Sequence, residues 1–138
     1  MPTDALALYA AVVLLLPMAA FFLASPTFLL VGLEIPEVTQ LMRGIFSGYF
    51  LAIGIAGIIA MILFASAARP VFAVGAIAIA AFAITARRWL LQHMDAELQA
   101  RDAGNSASVR QLRVLHVMGM LLNAIQLAAV AASVPLIV

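Results

Sequence analysis

The chain has 138 residues, of which 67% are hydrophobic and 9% charged, with a formal net charge of +1 and no cysteine. Soluble domains are about half apolar and about a quarter charged, so this composition is that of a membrane protein, too short for more than one compact unit. The near-zero charge excludes a nucleic-acid surface, which needs a basic patch against phosphates. The lack of cysteine excludes disulfides, thiol chemistry and Cys–metal sites.

A membrane span needs roughly 20 mostly apolar residues, and four stretches meet that need: about 5–31, 38–66, 70–91 and 109–136. The first opens on "MPTDALALYAAVV", which has no Lys or Arg before its apolar run. A cleaved signal peptide has a basic leader, so this reads as a retained span. Pro17 predicts a kink inside it, and Pro26 a helix end. Span two follows Pro36 and Glu37, which suit a first helical turn: the missing N–H costs nothing there and the acid meets the positive end of the dipole. Pro70 starts span three in the same way.

The third helix is predicted to continue beyond the bilayer over about 87–102. Trp89 falls where an interfacial aromatic belongs, and Glu97 with Arg101, and His93 with Glu97, stand at favourable i,i+4 spacing. Asp102 to Ser106 turn the chain back. Ser108 and Gln111 then form a capping-box pattern opening span four.

All seven basic residues are arginine. Arg43, Arg87, Arg88, Arg101, Arg110 and Arg113 belong to the first and third loops, Arg69 alone to the opposite side. By the positive-inside rule those two loops are cytoplasmic and both termini lie outside; the membrane itself is expected, separately, to be a bacterial inner (plasma) membrane. The expected fold is all-α: a four-transmembrane-helix antiparallel bundle forming one domain over 1–138.

Membrane helices associate by close packing, and small residues permit it. Span two has Gly44, Gly48, Ala52, Ala56 and Ala60 every four residues, and span three offers Ala73, Ala76, Ala80 and Ala83. Such ridges either hold the bundle together or join one chain to another. A homo-oligomer, or assembly with partner membrane subunits in the bilayer, is therefore expected alongside lipid contact.

Polar residues recur on one side of two spans. Span two has Gln40, Arg43 and Ser47; span four has His116, Gly119, Asn123 and Gln126. Counting about 1.5 Å per residue from the cytoplasmic side, Arg43 and His116 lie roughly 10 and 12 Å deep. Ionisable groups in a membrane are costly and face partners in the bundle interior. A buried cluster of Arg43, His116 and Asn123 is thus predicted, extended by Gln126 and Gln40, with Glu34 or Glu37 as counter-charge. It serves either as a structural network fixing register or as a site for a proton, an anion or a headgroup.

No cofactor is expected. "HVMGM" suggests copper, but on a helix only His116 and Met120 share a face, and no spacing matches a recognised ligand set. A haem held by two histidines would need His93 beside His116, whereas His93 falls on the extension. No nucleophile elbow, phosphate loop or paired inward carboxylates appear, so no catalytic residue is assigned.

"VTQLMRGIFSGYFLAIGIAGIIAMIL" and "LRVLHVMGMLLNAIQL" resemble the second helix and closing Leu-His…Asn signature of a family of small four-helix membrane proteins of unknown function. Its bacterial members are related to a eukaryotic transmembrane protein associated with cisplatin resistance. The resemblance covers about two-thirds of the chain and points to Phe46, Tyr49, Leu115, His116 and Asn123. The family commonly has Ser shortly after the His, where this chain has Met118 and Gly119. The resemblance implies the four-span architecture and no particular activity.

The expected function is non-enzymatic: a small membrane protein that joins itself or a larger complex, its polar cluster securing the fold. A small-solute or ion carrier using Arg43, His116 and Asn123 is the alternative, and a haem- or metal-binding redox protein the second alternative.

Overall fold

A computed structural model describes residues 3–137 and is all-helical, so the single-domain reading of 1–138 reaches past the described residues at both ends. The helices are α1 (Thr3–Ala24), α2 (Pro36–Ser66), α3 (Pro70–Asp102) and α4 (Ala107–Ile137), and a 3-10 turn, Ser25–Leu29, follows α1. All four are long and apolar enough to cross a membrane. At about 1.5 Å per residue α3 is about 50 Å long, well beyond the roughly 30 Å of a hydrocarbon core. It therefore has length to spare for the extension expected past residue 91.

The helix ends follow local chemistry. Pro26 cannot continue the α-helical ladder, and α1 stops two residues before it, short of the expected residue 31; it is continuous through Pro17. Pro36 and Pro70 occupy the first turns of α2 and α3. The capping box expected at Ser108 is not used. The Asn105 side chain instead accepts from the Ala107 N–H at 3.1 Å, while the buried Ser108 hydroxyl has no partner among the described residues. Between α2 and α3, Ala68 adopts a left-handed conformation (φ 57°), and the Arg69 N–H reaches back to the Phe64 carbonyl at 2.9 Å. Gly104 (φ 95°) closes α3 in the same way, with the Asn105 N–H on Ala100 O at 3.0 Å.

α1 packs on α2 and α4, and α3 on α2 and α4, so the four form a ring. The most extensive contact is α2 on α3. Along it, Phe64 stacks near Phe72, Gly57 lies beneath Ala80, and Ser47 and Arg43 meet Arg87 and Asp95. Numbers fall along α2 as they rise along α3. A Cβ on Gly57 would lie 2.7 Å from Ala80 Cβ and 2.9 Å from the Ala76 carbonyl. The flat seam of Ala73, Ala76, Ala80 and Ala83 is buried as a set.

The matching ridge on α2 differs from the expected one. Ala56 and Ala60 are buried, but Gly44, Gly48 and Ala52 are exposed, and a Cβ on either glycine would meet nothing within 4 Å. A helix turns about 100° per residue, so a strict four-residue stripe advances by about 40° at every step. From residue 44 to residue 60 it winds from the outer wall into the core. The close approach to α3 is made instead by Gly57, three residues along from the buried Gly54.

Candidate functional site

The polar side chains of α4 converge on the main chain of α1. His116 and Asn123 are two turns apart on one face, and they are 0% and 1% exposed. The His116 Nε2 lies 3.0 Å from the Ser25 carbonyl and 3.0 Å from the Ser25 hydroxyl. A carbonyl only accepts, so Nε2 bears the proton and donates. Asn123 Nδ2 donates to the Met18 carbonyl at 3.1 Å, and its Oδ1 accepts from the Tyr49 hydroxyl of α2 at 2.6 Å. One turn before His116, Arg113 donates to the Phe28 carbonyl and, at 2.8 Å, to the Val31 carbonyl. The result is a seam in which Arg113, His116 and Asn123 address Phe28, Ser25 and Met18 in reverse order.

Aromatic rings close around this seam. The Phe21 ring stacks on Tyr49 at 4.2 Å and meets Phe46 edge-on at 5.0 Å. Phe28 and Phe46 stand edge-to-face to the His116 imidazole at 5.8 and 5.9 Å. Phe46 reaches there because residue 119 is glycine: a Cβ at that position would come within 2.1 Å of its ring. The His116 Nδ1 is buried without a partner among the described residues. Between α1 and α4 a cavity of about 240 Å³ opens beside the seam, lined by Phe21, Phe22, Ser25, Val117, Met120 and Asn123 among others.

Arg43 does not join this seam. Its guanidinium forms a two-pronged pair with Asp95 on the α3 extension, at 2.6 and 2.9 Å. The pair is partly open, with side chains 38% and 45% exposed. Its guanidinium holds the Asp95 carboxyl below the usual carboxylate range. The predicted Arg43–His116–Asn123 cluster therefore splits into two groups. Equal depth along two axes does not place side chains on facing sides, and a guanidinium on a flexible stem goes to the carboxylate it can reach. Gln126 is half-buried, and Gln40, Glu34 and Glu37 are exposed. None of these four contributes to either group.

Two further arginines hold the connection between α1 and α2. Arg113 grips it as described, and Arg101 donates to the Leu33 carbonyl at 3.0 Å and to the Thr39 hydroxyl at 2.8 Å. Arg101 also bonds Asp102, in place of the Glu97 pairing expected from helical spacing. These partners set Arg43, Arg101 and Arg113 at one end of the bundle. Arg69 pairs with Asp4 at the other, 3.1 Å apart. Ser25, Asp95 and the gripping roles of Arg101 and Arg113 were outside the sequence reading. Ser-Pro at the end of an apolar run was the one local signal for Ser25.

The His93 Nδ1 lies 2.7 Å from the Trp89 carbonyl, and its ring stacks on Trp89 at 4.0 Å, away from the His116 seam. Among the described residues no three His, Asp or Glu gather closely enough to hold a metal. No protein-family model matches the sequence, and no curated protein or solved structure matches it either.

Proposed function

We propose that this chain is a small integral membrane protein, an antiparallel four-span bundle of a bacterial inner membrane with both termini outside. It works without catalysis, as a structural or accessory component that associates with itself or with a larger membrane complex. The observation behind this reading is how the buried polar groups of α4 are used. His116 and Asn123 are committed to main-chain carbonyls of α1 and to Tyr49, which is the use expected of a register-fixing network. The membrane setting draws support from the outer faces, where Leu16, Leu23, Leu30, Val71 and Leu136 are 64% to 88% exposed. Apolar surface on that scale needs a bilayer or partners. The gathering of arginines at one end supports the orientation. A relationship to the small four-helix family, through Phe46, Tyr49, Leu115, His116 and Asn123, is part of the same proposal.

For association with a second chain, the outward-turned Gly44, Gly48 and Ala52 offer a wall on which a neighbouring helix packs closely. The alternative, a carrier of a small solute or proton, draws on the unpartnered His116 Nδ1 and the cavity beside Ser25 and Asn123. One comparison separates the two. In reconstituted vesicles, His116→Ala and Asn123→Ala lower the unfolding midpoint and leave solute and proton flux at the background of empty vesicles. A wild-type flux above that background, abolished by either variant, replaces the structural reading with the carrier.

A further inference from the structure

A second groove, away from the α1–α4 cavity, combines apolar walls with charge. It lies between α2 and α3, holds about 310 Å³, and is lined by Phe50, Leu51, Gly54, Ile55, Ile58, Ile84, Arg87 and Arg88. Both arginines sit at one end of it, and none of these lining residues is acidic. Arg87 is oriented by α2: its Nε donates to the Ser47 carbonyl at 3.2 Å and its Nη2 to the Ser47 hydroxyl at 2.8 Å. Nη1 takes no part in either bond. Arg88, the next residue, is exposed. The lateral groove lined by Phe82, Trp89 and Leu122, by contrast, has no charged residue in its wall.

The dimensions suit one molecule of a particular kind. From Ser47, level with the Arg87 guanidinium, to Ile58 at the far end, α2 advances about 16 Å. One leaflet is about half of a hydrocarbon core of roughly 30 Å. Arg43 pairs with Asp95 on the α3 extension beyond the span, which moves the membrane boundary on α2 to about residue 43 and leaves Ser47 about one turn inside it. The groove thus runs about the depth of a leaflet, with guanidiniums near the headgroups and branched aliphatic side chains where an acyl chain lies. Gly54 keeps its floor low, and the nearest neighbour to a Cβ there is the Ile84 side chain at 3.6 Å.

We infer that the α2–α3 groove is a binding site for one anionic phospholipid, its phosphate held by Arg87 and Arg88 and one acyl chain laid along Leu51, Ile55 and Ile58. The inference rests on the membrane reading proposed above. Arg-rich ends face the leaflet in which anionic lipids attract basic side chains, and a guanidinium pair offers planar, paired donors to phosphate.

The test is native mass spectrometry of the detergent-purified protein titrated with phosphatidylglycerol or phosphatidylcholine. Arg88→Gln and Ile55→Trp are the variants; both positions are exposed, so the fold tolerates them, and Arg87 keeps its bond to Ser47. The expected result is one saturable phosphatidylglycerol adduct, with phosphatidylcholine held at least about fivefold more weakly. Loss of one guanidinium near an anionic headgroup weakens phosphatidylglycerol about fivefold. Ile55→Trp, which fills the groove and keeps both charges, weakens it as well. Equal retention of the two lipids, or an adduct unchanged by both variants, overturns the inference. So does full competition by inorganic phosphate, which would mean that the apolar groove takes no part. Alkaline extraction of membranes is scored in parallel. A chain that resists extraction and selects no lipid refutes this site alone, whereas a chain released by alkali refutes the membrane reading.

Discussion

The imidazole of His116 donates to the carbonyl of Ser25, 3.0 Å away, at the point where α1 gives way to its 3-10 turn. Two turns further along α4, Asn123 makes the same kind of bond to Met18 and also accepts from Tyr49. His116→Leu removes one buried partner from α1 and is expected to cost about 1 kcal/mol. Asn123→Leu strips partners from both Met18 and Tyr49 and costs more, about 1–2 kcal/mol. Reversible unfolding in mixed micelles measures both; a neutral Asn123→Leu would sink the seam as a source of stability.

Gly119 is required by the ring that lies over it. Any Cβ there would come within 2.1 Å of Phe46, a buried ring unable to leave without disturbing Phe21 and His116. Gly119→Ala should destabilise by about 1–3 kcal/mol through overpacking. Phe46→Leu in the same chain should recover part of that loss, since the shorter side chain withdraws from the collision. Double-mutant unfolding decides the matter, and strict additivity of the two losses would show that the contact is not the cause.

The Arg43–Asp95 pair gives stability a pH dependence of known sign. Asp95 is held below the ordinary carboxylate range mainly by its hydrogen bonds from Arg43. A carboxyl depressed in the folded state contributes above its unfolded pKa, and the contribution fades as pH falls through the folded value. The loss therefore begins below about pH 4. Because both side chains are more than a third exposed, solvent screening limits the effect to about 1 kcal/mol or less. Unfolding midpoints at pH 7 and pH 3 should differ less in Asp95→Asn than in the wild type, and added salt should shrink the difference. An Asp95→Asn chain with an undiminished acid response would assign it to other carboxyls.

Two helix ends share one motif with different residues at the strained position. Gly104 takes a positive φ without penalty, whereas Ala68 takes one against its Cβ; a left-handed L-residue costs roughly 1–2 kcal/mol. Ala68→Gly is expected to raise stability by about 0.5–1 kcal/mol, part of the relief being offset by the freer unfolded chain. Gly104→Ala should lower it by about 1 kcal/mol. Opposite shifts of the unfolding midpoint are the expected pattern, and shifts of the same sign would contradict it.

The helices were legible because hydropathy, length and proline placement are properties of the chain itself. Pro26, Pro36 and Pro70 act through their own rings and missing N–H groups. The burial of His116 and Asn123 on one face of α4 was also readable, since residues seven apart return to nearly the same side of a helix. Their partners were not. Met18 and Ser25 accept through main-chain oxygens, and every residue has one, so no side-chain pattern marks which carbonyls will be used.

For the same reason depth along the axis misplaced Arg43. Counting residues gives height, but which neighbour a side chain faces depends on how each helix is rotated in the ring, and only packing decides that. The Phe46 ring against Gly119 and the Ala76–Ala80 seam against Gly57 set those rotations. They turned Arg43 to Asp95, aimed His116 at Ser25, and left Gly44 and Gly48 on the outer wall. Composition and periodicity by themselves determined that there would be four apolar rods, with every arginine but Arg69 assigned to one end. Which faces meet was settled by van der Waals fit between residues distant in sequence, a quantity that belongs to pairs of helices and to no single segment.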